Sequence, residues 1–185
     1  MGVSGAELES ALLLPVPAAE AAVGGHRARL DASARDGVPA HVTVLCPFLP
    51  PAEIGPGILA ELSRLFAAVP RFSFTLDRVR WFNQSVVWLG PSDESPFRRL
   101  TGLAVAAYPS CPPYRGVHED VVPHLTIGHL GGPGELRAAA AQVRPLLPIT
   151  TEATTVILMT GPTPGPPGPP GAPGQWQTVA SFPLG

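Results

Sequence analysis

Two short stretches constrain this chain more than anything else in it. HVTV at residues 41–44 and HLTI at residues 124–127 each place a histidine two positions before a threonine, with aliphatic residues in between. Successive side chains on a β-strand point to opposite faces, so His41 and Thr43 share one face about 7 Å apart, as do His124 and Thr126. Val42, Val44, Leu125 and Ile127 then turn into a core. Each stretch is half scaffold and half exposed site. With average residue usage, one such match in a chain of this length has a chance on the order of 1%, and two on the order of 1 in 10,000.

The flanking sequence repeats as well. Residues 11–16 (ALLLPV) read as a strand and 18–31 as a helix weakened by Gly24 and Gly25, followed by a loop at Asp36-Gly37 and the first motif strand. After it, apolar residues at helical spacing predict a helix over 58–68, closed by Pro70. Alternating runs at 72–82 and 85–90 predict a hairpin turning at Asn83-Gln84. A helix at about 96–108 and a loop over 110–123 lead to the second motif. Beyond it come a helix at about 134–144, a long strand over 149–159 and a last strand over 175–184. Motif strand, helix, strand, strand is thus written twice, with the histidines 83 residues apart in a chain of 185. The pattern predicts one bilobal, internally duplicated α+β domain over 1–185: two mainly antiparallel sheets forming a central cleft, helices outside, one motif from each lobe. Residues 161–174 (GPTPGPPGPPGAPG) can bury almost nothing and read as a flexible Pro/Gly-rich loop, with a ligand for a proline-recognising domain as the alternative.

Composition removes several kinds of chemistry. All 12 basic residues are Arg. Without lysine, a lysyl-nucleotide intermediate, a Schiff base and a Walker-type phosphate lysine are ruled out. A net charge of −2 with no dense basic run argues against a protein that grips long duplex nucleic acid. No apolar run reaches a membrane span, the apolar stretch near the N-terminus lacks a basic n-region, and Cys46 and Cys111 form no CxxC pair. The expectation is a reduced, cytoplasmic protein without a membrane partner, and a monomer.

Two imidazoles can divide the protonation states needed for acid–base catalysis near neutral pH, one neutral as base and one charged as acid. Two threonine hydroxyls beside them can donate to the non-bridging oxygens of a phosphodiester and hold phosphorus between the histidines. Such chemistry requires neither metal nor cofactor. A zinc site using His118, Glu119, Asp120 or His129 is the rival, but threonine stands at the i+2 position where a second strong ligand would be useful.

HVTV and HLTI resemble the paired H-x-T signatures of the two-histidine (2H) phosphoesterase superfamily, most of all its 2′-5′ RNA ligase-like and cyclic phosphodiesterase members. Pro123 before the second motif and Pro47-Phe48 after the first are similar to that pattern, and the resemblance runs from about residue 10 to 184. It implies His41 and His124 as catalytic residues, Thr43 and Thr126 as phosphate-binding residues, and a small nucleotide or an RNA 2′,3′-cyclic phosphate end as partner. The implied activity is hydrolysis of 2′,3′-cyclic phosphates or 2′-5′ phosphodiesters. The alternatives are ATP-independent 2′-5′ ligation and a nucleotide- or RNA-binding module with little turnover. Cys46 stands where many relatives carry an aromatic residue.

Phe48, Tyr114, Arg115 and His118 form a second tier of substrate-binding candidates: an aromatic after the first motif, and three residues in the loop leading to the second. Cys46 lies on the strand parity opposite to His41 and reads as a core thiol. Trp81, Phe82 and Trp88 read as core aromatics, and Arg78 and Arg80 as a solvated strand face.

Overall fold

The computed structural model describes residues 8–118, 120–163 and 176–185. In chain order the elements are β1 (Leu8–Pro15), α1 (Glu20–Leu30), a short α2 (Ala32–Arg35), β2 (His41–Leu45), α3 (Pro56–Ala67), β3 (Phe72–Phe82), β4 (Val86–Pro91), α4 (Ser95–Ala107), β5 (Leu125–Gly128), α5 (Pro133–Val143), β6 (Ile149–Ala153), β7 (Thr155–Pro162) and β8 (Gln177–Pro183). Helices α3, α4 and α5 each carry proline in the first turn, where its missing N–H costs no hydrogen bond. The β3–β4 hairpin turns at Asn83 and Gln84, both with positive φ (46° and 61°), the backbone that matches a tight turn to the strand twist.

The architecture is α+β with two four-stranded antiparallel sheets, ordered β2-β1-β7-β8 and β5-β4-β3-β6. Each motif strand is the edge of its own sheet. The division of the chain differs from a simple halving: β3 and β4, which follow the first motif, belong to the second motif's sheet, and β7 and β8 return to the first. Helices cross over too, with α1 against β5 and α4 against β2. One main core therefore joins both sheets, including Leu12, Leu14, Val42, Val44 and Leu158 from one and Leu76, Leu89, Leu125 and Ile127 from the other.

The single strand expected over 149–159 is two strands. Ile149–Ala153 alternates half-buried and exposed residues and pairs with β3. Val156 to Met159 is buried on both faces, because β7 lies between β1 and β8 in the other sheet. The chain changes sheets at Thr154, whose carbonyl accepts the Leu184 amide at 2.8 Å. The Pro/Gly-rich segment expected at 161–174 begins inside β7, with Gly161 and Pro162 as its last residues, and lies outside the described residues from Pro164 onward.

Gly128 explains how the two motifs are tied together. A Cβ there would lie 2.6 Å from the Leu30 Cβ, so only glycine lets the end of β5 close on the end of α1. The amides of His129 and Leu130 then both donate to the Leu30 carbonyl at 2.8 Å. The helix that leads to His41 is fastened to the strand that follows His124.

Candidate active site

β2 and β5 approach each other with Cα atoms within 8 Å. Burial alternates along both as expected: Val42, Val44, Leu125 and Ile127 are buried, while His41, Thr43, His124 and Thr126 are half-buried. The two histidines are held in the same way. His41 Nδ1 lies 2.7 Å from the Pro39 carbonyl, and His124 Nδ1 lies 2.7 Å from the Val122 carbonyl. A carbonyl can only accept, so each Nδ1 carries the hydrogen and each Nε2 is left with a lone pair for chemistry.

Burial pushes the His41 imidazole down to about 4, with the Arg27 guanidinium and His124 acting in the same direction and the Pro39 bond and Asp31 carboxylate against it. Burial also lowers His124, offset in part by its bond to Val122. Both rings are thus neutral in the free protein near pH 7. An unfolded histidine titrates near 6.5, so the unfolded chain binds more protons than the folded one as pH falls from about 6.5 to 4, and stability declines across that window. Urea unfolding at pH 7 and pH 5 checks this: wild type is expected to lose more stability than His41→Ala, and equal losses would contradict it.

The surroundings of the two rings differ. His124 is flanked by aromatic rings, Phe82 at 5.0 Å and Trp88 at 5.8 Å between centroids, which stack on each other at 4.7 Å. Gly90 leaves room for that wall, since a Cβ there would press on the Trp88 ring at 3.0 Å. Behind His41 lies a buried charge network. Arg27 and Asp31 are 2% and 1% exposed and form an ion pair with contacts of 2.8 and 2.9 Å. Arg27 also donates to the Val38 carbonyl at 3.3 Å, and Glu20 accepts the Ala40 amide at 2.7 Å, so the network grips the segment immediately before His41. Asp31 caps α2 through Ser33 and lies 3.7 Å from His129 on the far side.

Of the second-tier candidates, Tyr114 lies nearest the first motif, its phenol raised by burial and lowered in part by the Thr43 side chain. Its backbone amide donates to the Cys46 carbonyl at 2.7 Å. Tyr114 and Arg115 both adopt left-handed backbone (φ 49° and 58°), conformations that cost free energy in non-glycine residues. Arg115 is exposed and paired to Glu9 on β1 at 3.2 Å. His118 is exposed and packs edge-on against Tyr114 at 5.6 Å. Phe48 is 5% exposed and packs edge-on against Tyr108 in the main core, and its remaining surface lines a pocket with Pro47, Cys111 and Arg115.

Cys46 also departs from its expected place. The strand ends at Leu45, and Cys46 packs against the smaller cluster of Ala11, Leu13, Val38, Ile157 and Met159 rather than the main core. That cluster lies on Thr43's side of the sheet, because Leu13 pairs with Thr43 and Ile157. Burial, aided by Glu9, pushes the thiol up to about 12, which keeps it protonated and a poor nucleophile. Sequence reasoning missed Arg27 and Asp31, and it read Phe82 and Trp88 as core. The only trace of the first pair is an i,i+4 spacing common to surface ion pairs. Glu119, in the rival zinc set, lies outside the described residues; among those described, no three His, Cys, Asp or Glu side chains converge on a common point.

The model of the 2′-5′ RNA ligase superfamily matches residues 15–162, and the chain belongs to that superfamily. Among solved structures it is similar to E. coli LigT complexed with 3′-AMP, at 20% identity and a TM-score of 0.59, covering 96% of this chain and 98% of the other. TT0787 of Thermus thermophilus gives 18% identity and a TM-score of 0.59, with 96% and 97% covered. E. coli LigT has also been crystallised with NADP+ (18% identity, TM-score 0.54, 97% and 99% covered). No curated protein sequence matches. Among the described residues no helix is long and apolar enough to cross a membrane.

Proposed function

We propose that the protein is a phosphodiesterase that opens 2′,3′-cyclic phosphates or 2′-5′ phosphodiesters of nucleotides or RNA ends by two-histidine acid–base catalysis. The observation that carries this reading is the mirrored pair of Nδ1–carbonyl bonds, which frees a neutral Nε2 on each of two adjoining strands. The phosphodiester lies between them, its non-bridging oxygens accepting from Thr43 and Thr126. One Nε2 takes a proton from water as its oxygen bonds to phosphorus. The other histidine, protonated at Nε2 when the phosphate anion is bound, gives that proton to the ribose oxygen as the P–O bond breaks.

The difference in surroundings supports a division of roles. Arg27 behind His41 opposes a second positive charge, which suits a base that is neutral at the start. Among the described residues no guanidinium is among the influences on His124, and the bound phosphate anion favours its imidazolium. His41 is accordingly the base and His124 the acid in the hydrolytic direction. Thr43→Val and Thr126→Val each remove one donor to the phosphate and are expected to lower kcat by about 10²-fold, less than loss of either histidine; steady-state kinetics on a cyclic nucleotide checks this.

The superfamily's description favours a second reading, ligation. The same groups run in reverse would let a 5′-hydroxyl attack a 2′,3′-cyclic phosphate and join two RNAs without ATP. Incubating an RNA with a 2′,3′-cyclic end together with a 5′-hydroxyl RNA in EDTA, and separating products by length, distinguishes them. Hydrolysis yields a monoester of unchanged length, and this is the expected product. A joined product as the main species would favour ligation, and no reaction of either kind would contradict both.

A further inference from the structure

Behind the aromatic wall lies a groove of about 490 Å³ between the β3–β4 hairpin and α5, lined by Trp81, Gln84, Pro133, Arg137, Ala140 and Arg144. We propose that this groove holds the single-stranded RNA leading into the scissile end, with a base stacked on Trp81 and backbone phosphates on Arg137 and Arg144. The inference rests on the phosphodiesterase reading and extends it from a cyclic nucleotide to a longer strand.

Three observations support it. The charge is of one sign: the lining holds two arginines and no carboxylate, and neither guanidinium has a hydrogen bond or ion pair among the described residues. Arg98, Arg78 and Arg115, by contrast, are all engaged by acidic side chains. The spacing is suitable as well. Arg137, Ala140 and Arg144 follow at i, i+3 and i+7, so the arginines rise from one face about 10 Å apart along the axis, with a buried alanine between them as floor. The location is the third. Phe82 packs on His124, and its neighbour Trp81 emerges on the opposite face of the same strand, half-buried and open to the groove. Gln84, at the tip of the same hairpin, also lines the groove, so one hairpin carries an aromatic to His124 and another to the groove. An aromatic face flanked by guanidinium groups is the chemistry that holds single-stranded nucleic acid without reading its sequence.

The test compares a fluorescein-labelled pentaribonucleotide with a 3′-phosphate end against an adenosine monophosphate competitor, by fluorescence anisotropy in 0.1 M salt, using wild type and Arg137→Gln/Arg144→Gln. Turnover of 2′,3′-cyclic AMP is measured in parallel. Wild type is expected to bind the pentamer at least about tenfold tighter than the mononucleotide, and the double variant to lose that advantage. Cyclic AMP turnover is expected to stay within about twofold, since a mononucleotide does not extend past the wall. Trp81→Leu should weaken pentamer binding alone. Equal affinity of wild type and double variant for the pentamer would overturn the groove, as would equal losses on pentamer and mononucleotide. Polyglutamate bound with the same arginine dependence, when the pentamer is not, would assign the groove to an acidic peptide instead. Arginine-dependent pentamer binding without cyclic AMP turnover would leave the groove standing and overturn the hydrolytic reading.

Discussion

Replacing either motif histidine by alanine is expected to lower turnover of a 2′,3′-cyclic nucleotide by on the order of 10³-fold, with the fold unchanged. The size follows from what is removed. In the proposed mechanism each ring supplies one of two proton transfers, and the loss of base or acid leaves water to do the same work. The fold tolerates the change because each imidazole makes one hydrogen bond, to a local carbonyl, and sits on the half-buried face of its strand. Circular dichroism and steady-state kinetics on the two variants check both parts. Near-wild-type turnover in either variant would remove that histidine from the mechanism.

A second substitution acts on the fold rather than on the chemistry. Asp31→Ala leaves the Arg27 guanidinium buried without its partner, and breaking such a pair typically costs about 3–5 kcal/mol. That is a large fraction of the roughly 5–15 kcal/mol that holds a domain together, and it corresponds to a fall in Tm of roughly 10 °C for a chain of this size. The N-cap of α2 is lost with it. A paired replacement, Arg27→Met with Asp31→Leu, removes both charges and is expected to be milder. It should still impair catalysis, because the Val38 carbonyl loses the group that fixes the segment ahead of His41. Thermal unfolding of single and double variants separates the two effects; a shift below about 2 °C for Asp31→Ala would show that the pair does not support the fold.

The contrast between these two predictions shows what could be read before the structure. His41, Thr43, His124 and Thr126 were legible because period-2 alternation assigns faces directly, and because the motif occurs twice. Most helices and strands were legible for the same reason of periodicity, with boundaries shifted by a few residues. Sheet membership was not. The run from Ile149 to Met159 has unbroken β propensity, and its change from one-sided alternation to VILM, the mark of a central strand, is weak beside that continuity. The exchange of β3, β4, β7 and β8 between lobes is a property of pairing partners far apart in sequence. Arg27 and Asp31 looked like any surface pair on a helix, since nothing local says that the helix turns this face into the joint between lobes. The wall of Phe82 and Trp88 was visible as aromatic residues, but their role depends on a strand register that brings Trp88 opposite Thr126. The burial of Phe48 was hidden for the converse reason: adjacency to a motif in sequence does not fix where a side chain packs when the strand has already ended.

The central claim, that two histidines on adjoining strands act together on a phosphodiester, one neutral as base and one protonated as acid, is tested most directly by following 2′,3′-cyclic AMP with the purified protein in EDTA by phosphorus NMR. The account predicts that the cyclic phosphate resonance gives way to a single monoester isomer, and that neither His41→Ala nor His124→Ala produces it at a comparable rate. Conversion that persists undiminished in the His41→Ala/His124→Ala double variant would contradict the account.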